Sequence, residues 1–236
     1  MGGQFLCLLE EVVILACTPY ALDWNYGGAC NEVMELLPED GWACFLDHDA
    51  MFTTAIWYRQ LCQAIAQEPA GTFVARTNRA GQPLVGIATE ERRWQIPIGV
   101  DMENHDMWYH RGLGAEFAKD AALRDVTESG KFMCGVMVLI SKPTWRAVGG
   151  FRQAWGHMDW ALHLDLRRAK RRLFCLQGVY VYHWKRADGD VDYIEQGAPF
   201  INFTALMDPQ DPRLPNIRAR VDSTRDALNW VQPDAP

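Results

Sequence analysis

The run Trp42-Ala43-Cys44-Phe45-Leu46 is apolar at every position and stops abruptly on Asp47-His48-Asp49. It follows an acidic, Pro-containing turn, Leu37-Pro38-Glu39-Asp40-Gly41. An uninterrupted apolar run of this length, bounded by turn signals, suits a strand covered on both faces. In an open α/β sheet, ligands collect at the carboxyl ends of such strands. A turn at this point lets Asp47 and Asp49 converge on one hard cation, Mn²⁺ or Mg²⁺. Taken alone, Asp-His-Asp reads equally well as a polar strand terminus, so the surrounding chain has to decide.

The chain has 236 residues, about half of them hydrophobic, which is enough for one large domain or one domain with a tail. A formal net charge of −7 disfavours a protein that holds nucleic acid mainly by neutralising phosphates. The seven cysteines form no CxxC pair and sit mostly inside apolar runs, which fits reduced core residues of a cytoplasmic protein. Phe5-Leu6-Cys7-Leu8-Leu9 and Val12 to Cys17 resemble a signal sequence only superficially. Glu10 and Glu11 interrupt them, and no positive segment precedes them. No apolar run approaches the ~20 residues of a membrane span.

Val12-Val13-Ile14-Leu15-Ala16-Cys17 reads as the first central strand, closed by Thr18-Pro19-Tyr20. A helix is expected from about 28 to 37, with Val33, Leu36 and Leu37 as its apolar stripe and Pro38 ending it. Strand, helix and strand in so short a span imply parallel pairing by a right-handed crossover. Thr53-Thr54 is a candidate N-cap for a helix in which Trp57, Leu61 and Ile65 recur four apart, and Thr72 to Ala75 follows as a strand. From 76 to 131 the pattern weakens, and that segment is an irregular, acceptor-side candidate. Order returns with a buried strand over 132–140 and a short helix begun by Pro143 and ended by Gly149-Gly150. A helix is expected from about Asp159 to Arg172, with Leu162, Leu166 and Ala169 inward, and then a last strand, Gly178 to Tyr182, leading into His183. Residues 1–187 form the expected domain, and 188–236 a Pro-rich wrapping tail.

Four blocks, in order, resemble glycosyltransferases of the GT-A fold, most closely the inverting family 2 type. They are the strand ending in Thr18-Pro19-Tyr20, the segment Phe45-Leu46-Asp47-His48-Asp49, the run from Cys134-Gly135 to Val148-Gly149-Gly150-Phe151, and Trp155-Gly156-His157-Met158-Asp159 before Leu166-Arg167-Arg168. The resemblance covers most of residues 12–184. It departs at Met158 and Ala161, where that family often carries Glu and Asp, and nothing in 76–131 matches. The implied fold is α/β, a mostly parallel central sheet with helices on both faces.

The resemblance also implies roles. A departing nucleoside diphosphate needs its charge neutralised by a divalent cation. Asp49 is the expected direct ligand, Asp47 a ligand through ribose or metal-bound water, and His183 completes the set; a packed histidine beside Trp184 is the plain alternative. Asp159 is the expected general base, held ionised by the helix dipole, and also a natural helix cap. Thr18, Pro19 and Tyr20 frame the nucleobase or simply form a turn. Lys185 and Arg186 reach the diphosphate or remain a solvated pair. Trp155 and His163 are acceptor-side candidates, with a core role the alternative for His163. The expected donor is a UDP- or GDP-linked sugar, and the acceptor is most simply a saccharide. A modified base in nucleic acid stays open as an acceptor.

Two other classes compete. A nucleotidyltransferase shares a sheet-edge carboxylate pair but is expected to carry a Gly-rich basic loop after its first strand. Here that loop is Thr18-Pro19-Tyr20-Ala21-Leu22-Asp23, without Lys or Arg. A non-catalytic sugar- or nucleotide-binding module on the same fold is the other.

Overall fold

A computed structural model describes residues 12–78, 104–128, 132–184 and 198–212, together with 214, 215, 218 and 229–231. The chain runs through β1 (Ile14–Cys17), α1 (Tyr26–Leu36), β2 (Trp42–Leu46), β3 (Ala50–Phe52), α2 (Trp57–Gln67) and β4 (Thr72–Thr77). It continues with α3 (Met107–Phe117), β5 (Leu123–Asp125), β6 (Met137–Ser141), α4 (Lys142–Ala147), α5 (Met158–Arg168) and β7 (Leu173–His183). Near the end come β8 (Pro199–Ile201), a 3-10 turn (Phe203–Leu206) and β9 (Asn229–Val231), and β8 and β9 pair in parallel.

The main sheet has seven strands in the order β1-β2-β6-β4-β7-β3, with β5 also on β7. β1 and β2 pair in parallel around α1, as the strand–helix–strand pattern predicts. The sheet as a whole is mixed and not mostly parallel. Only β4–β7 adds a second parallel pair, whereas β6 runs antiparallel to both β2 and β4, and β3 and β5 run antiparallel to β7. β6 runs antiparallel to β4 because it enters at the sheet end where β4 leaves, and the chain between them places β5 on the far side of β7.

Helices do cover both faces, and the strands show it by alternation. Ala43, Phe45, Val138 and Ile140 belong to one core, shared with Cys30 and Met34 of α1 and with Leu162 and Leu166 of α5. Trp42, Cys44, Met137 and Leu139 belong to the other, shared with Leu61 and Ile65 of α2. A strand buried on both faces has no reason to alternate polar with apolar, which explains the continuous apolar runs.

Strand β7 breaks step once. Ala75 pairs with Leu176 but Arg76 pairs with Tyr180, so Gln177, Gly178 and Val179 form a bulge. Phe174 and Leu176 before it, Val179 at its end and Val181 after it all belong to the α2-side core. The even-numbered face therefore becomes the odd-numbered face. Gln60 Nε2 fastens the bulge by donating to Gly178 O at 3.0 Å.

Local expectations fare unevenly. Helix α1 starts at Tyr26 with Asn25 as its cap, accepting from Gly28 N, and buries Gly27, Cys30 and Met34 while Leu36 is exposed. Gly27 is needed because a Cβ there would run into Arg152 O, and its N–H donates to Ala154 O. Thr53 does not cap α2, because its hydroxyl donates to Tyr180 O at 2.8 Å. Residues 107–117 form a helix within the stretch that shows no clear period. In the C-terminal region Ile201, Leu206, Met207 and Leu214 join the α5-side core. Among the described residues no helix is long and apolar enough to cross a membrane, and no disulfide involves the six described cysteines.

Candidate functional site

Asp47 and Asp49 lie in the turn between β2 and β3, and His183 is the last residue of β7. These distant segments are sewn together by backbone. Ala50 stands opposite His183 across the β3–β7 pair, Ala50 N donates to Asp47 O, and Trp184 N donates to Asp49 O at 2.8 Å. The His183 imidazole is buried, with Nε2 3.1 Å from Asp49 Oδ1 and 3.6 Å from Asp47 Oδ2. One ligand atom from each of the three residues falls within a 4.8 Å cluster. Burial works against the charged form of Asp49. The hydrogen bond and charge of His183, with His48 behind it, overcome this and hold the carboxyl below its ordinary value.

The donor set fits a divalent cation. Two carboxylate oxygens suit a hard ion and one imidazole nitrogen is accepted readily by Mn²⁺, so Asp47, Asp49 and His183 are the residues that would hold it.

Asp159 stands in the first turn of α5. Its Oδ2 accepts from Gly135 N at 2.9 Å and its Oδ1 from Trp160 N at 2.9 Å. Val136, next to Gly135, accepts from Asp47 N at 3.0 Å. The dipeptide 135–136 thus links the carboxylate of Asp159 to the backbone of Asp47. Burial pushes the Asp159 carboxyl up to about 7, opposed by those two N–H groups and reinforced by the charge of Asp47. The expectation that the helix dipole keeps Asp159 ionised is outweighed by desolvation, and the result is a carboxyl poised near neutrality.

Other candidates fall at varying distances from this centre. Thr18, Pro19 and Tyr20 form the loop after β1, with Tyr20 79% exposed. Half-buried Trp155 meets Trp24 edge-on at 5.0 Å and Tyr26 at 5.9 Å, in a cluster with Ala198 and Phe200. His163 is 1% exposed; Met133 N donates to its Nδ1 and its Nε2 lies 3.1 Å from Thr127 O. An acceptor hydroxyl would have to displace one of these backbone partners, so its geometry is that of a core histidine. Lys185 and Arg186 lie outside the described residues, as does much of the 76–131 segment.

No family model matches the chain, and no curated protein matches it. Among solved structures it is similar to that of GalNAc-T7 with UDP, GalNAc and Mn²⁺, at a TM-score of 0.46 and 12% identity, covering 70% of this chain and 31% of that one.

Three residues at the site carry no motif of their own. Tyr26 is close enough to Asp47 and Cys30 that, after burial, their charges help keep its hydroxyl protonated. Gly135 supplies the N–H to Asp159, and although it opens one of the blocks that carry the resemblance, nothing in the sequence links it to Asp159. Asn78 follows β4 directly and touches His183, and a strand that stops on a buried Asn is the one hint of it.

Proposed function

We propose that this chain is a metal-dependent glycosyltransferase of GT-A type, moving a sugar from a UDP- or GDP-linked donor to an acceptor hydroxyl with inversion. The observation that carries the reading is the Asp47, Asp49 and His183 cluster, joined through residues 135–136 to a carboxyl raised to about 7. The cation supplies charge neutralisation for the leaving diphosphate. Asp159 takes the proton from the acceptor hydroxyl as that oxygen forms its bond to the anomeric carbon, and the bond from that carbon to the diphosphate oxygen breaks. A base with a value near the working pH is well matched to this task. Tyr20, exposed at the mouth of the β1 loop, stacks on the nucleobase. Trp155 offers a ring to a saccharide face.

The test is thermal stability against UDP, GDP, CMP and dTDP, each with and without Mn²⁺. A ligand at ~100 Kd that binds only the native state adds about 2.7 kcal/mol. The expected result is a shift with one nucleoside diphosphate that needs Mn²⁺ and vanishes in Asp49→Ala. No shift with any of them overturns the reading.

One observation favours a binding module instead, namely that both oxygens of Asp159 are already engaged by backbone N–H groups. The variant Asp159→Asn separates the two. A transferase loses turnover while keeping nucleotide affinity, and a module has no turnover to lose.

A further inference from the structure

Strand β4 ends at Thr77, opposite Val181, and β7 runs two residues further, to His183, which has a partner of its own on the β4 side. The partner is a side chain. His183 N donates to Asn78 Oδ1 at 2.7 Å, and Asn78 Nδ2 donates to His183 O at 3.2 Å. Both backbone groups of His183 are therefore closed by one primary amide, which presents an acceptor and a donor side by side as a peptide unit does. The orientation of that amide is fixed by its partners, since a backbone N–H only donates and a carbonyl only accepts. Asn78 is 1% exposed, so the two bonds are shielded from water.

We infer that Asn78 is a positioning residue for the cation site: by pairing with both backbone groups of His183, its amide sets where the imidazole stands relative to Asp49. The inference rests on the metal-site reading above. On its other side His183 is held by the pairing with Ala50 and by Trp184 N on Asp49 O, so the ligand is clamped from two directions. The β3 side moves with Asp47 and Asp49. Asn78 is the anchor that ties His183 to β4, a strand that carries none of the three ligands. Partners that orient a ligating histidine through its ring N–H change metal affinity by roughly ten- to a hundred-fold when removed, and the same range is the expectation for Asn78, which acts through the backbone. Alanine removes both bonds. Aspartate keeps the acceptor for His183 N but turns a second oxygen toward His183 O, where two acceptors oppose each other.

The experiment is a titration of the whole chain with Mn²⁺ alone, followed by the electron paramagnetic resonance signal of free Mn²⁺. The proteins compared are wild type, Asn78→Ala, Asn78→Asp, His183→Ala and the double variant Asn78→Ala/His183→Ala. The expected result is a Kd ten- to a hundred-fold higher for Asn78→Ala and at least as high for Asn78→Asp, with no further loss when Asn78→Ala is added to His183→Ala. A residue that merely stabilises the fold would weaken binding equally with His183 present or absent, and that additivity overturns the inference. So does an unchanged Kd in Asn78→Ala. A wild-type protein that binds no Mn²⁺ overturns the metal-site reading itself, which is a separate outcome. Should Asn78→Ala fail to fold, amide hydrogen exchange of wild type decides. The His183 amide is expected to be protected and to slow further with Mg²⁺, whereas exchange at the rate of a free peptide ends the proposal.

Discussion

Gly135 and Asp159 meet in a contact that admits no side chain. The Gly135 N–H reaches Asp159 Oδ2 at 2.9 Å, and a Cβ on Gly135 would stand 2.9 Å from the Cβ of Asp159. Glycine is therefore required by close approach and not by backbone conformation. Gly135→Ala forces the carboxyl aside while leaving its chemistry intact. The expected outcome is a kcat lower by roughly a hundred-fold, the usual cost of a misplacement near 1 Å, with folding cooperativity retained in urea.

The same carboxyl gives the protein a pH signature. Its folded value of about 7 lies above the ordinary 3.8, so the native state binds a proton that the unfolded chain does not between those values. By linkage this contribution favours the native state at low pH and is lost as pH rises through that window. In metal-free protein, urea midpoints of wild type are expected to fall relative to Asp159→Asn between pH 4.5 and 8, and a constant difference between the two would show that the carboxyl titrates normally. On the proposed mechanism the expected activity runs the opposite way, because a base works only when ionised: kcat/KM should rise with pH up to about 7.

Asp49 is the nearer carboxylate to His183, at 3.1 Å against 3.6 Å for Asp47. Asp49→Ala is expected to abolish the Mn²⁺-dependent thermal shift, and Asp47→Ala to weaken it. Chelation with EDTA should reproduce the Asp49→Ala curve in wild type. A Mn²⁺ shift that survives in Asp49→Ala would place the cation elsewhere.

Arg152 and Asp165 form a bidentate pair with both side chains under a tenth exposed, and it fixes α5, the helix that carries Asp159, against the segment after α4. Removing one partner strands the other charge in the core. Asp165→Ala is expected to cost about 3–5 kcal/mol in denaturant unfolding, whereas replacing both residues by apolar ones costs less.

How much of this was legible in the residues depends on which forces decided each feature. The parallel β1–β2 pair and the turn of Asp47 and Asp49 are dictated locally, by apolar runs and by what terminates them. The direction of β6 is not local. It follows from the path of the chain between β4 and β6, and that stretch has no periodicity to read. For α1, the stripes Val33-Leu36-Leu37 and Cys30-Met34-Leu37 both satisfy helical spacing. What chooses between them is the fit of Gly27 against Arg152 O, a contact more than a hundred residues away along the chain. Thr53 illustrates the same limit, since a hydroxyl suited to capping is claimed by Tyr180 O. The sequence reading puts His183 in the metal set and His163 on the acceptor side or in the core, and tertiary placement gives the first two carboxylates and the second backbone partners.

The bulge in β7 decides which residue occupies the ligand position. Side chains along a strand are assigned to faces by counting, and the three residues Gln177, Gly178 and Val179 shift that count by an odd number. Deleting any one of them would leave every ligand in the sequence and the strand still paired. The parity would change, however, and Tyr182 or Trp184 would turn toward Asp47 and Asp49 while His183 turned toward α3. Which residue faces Asp47 and Asp49 is therefore set partly by the length of a segment that touches neither of them.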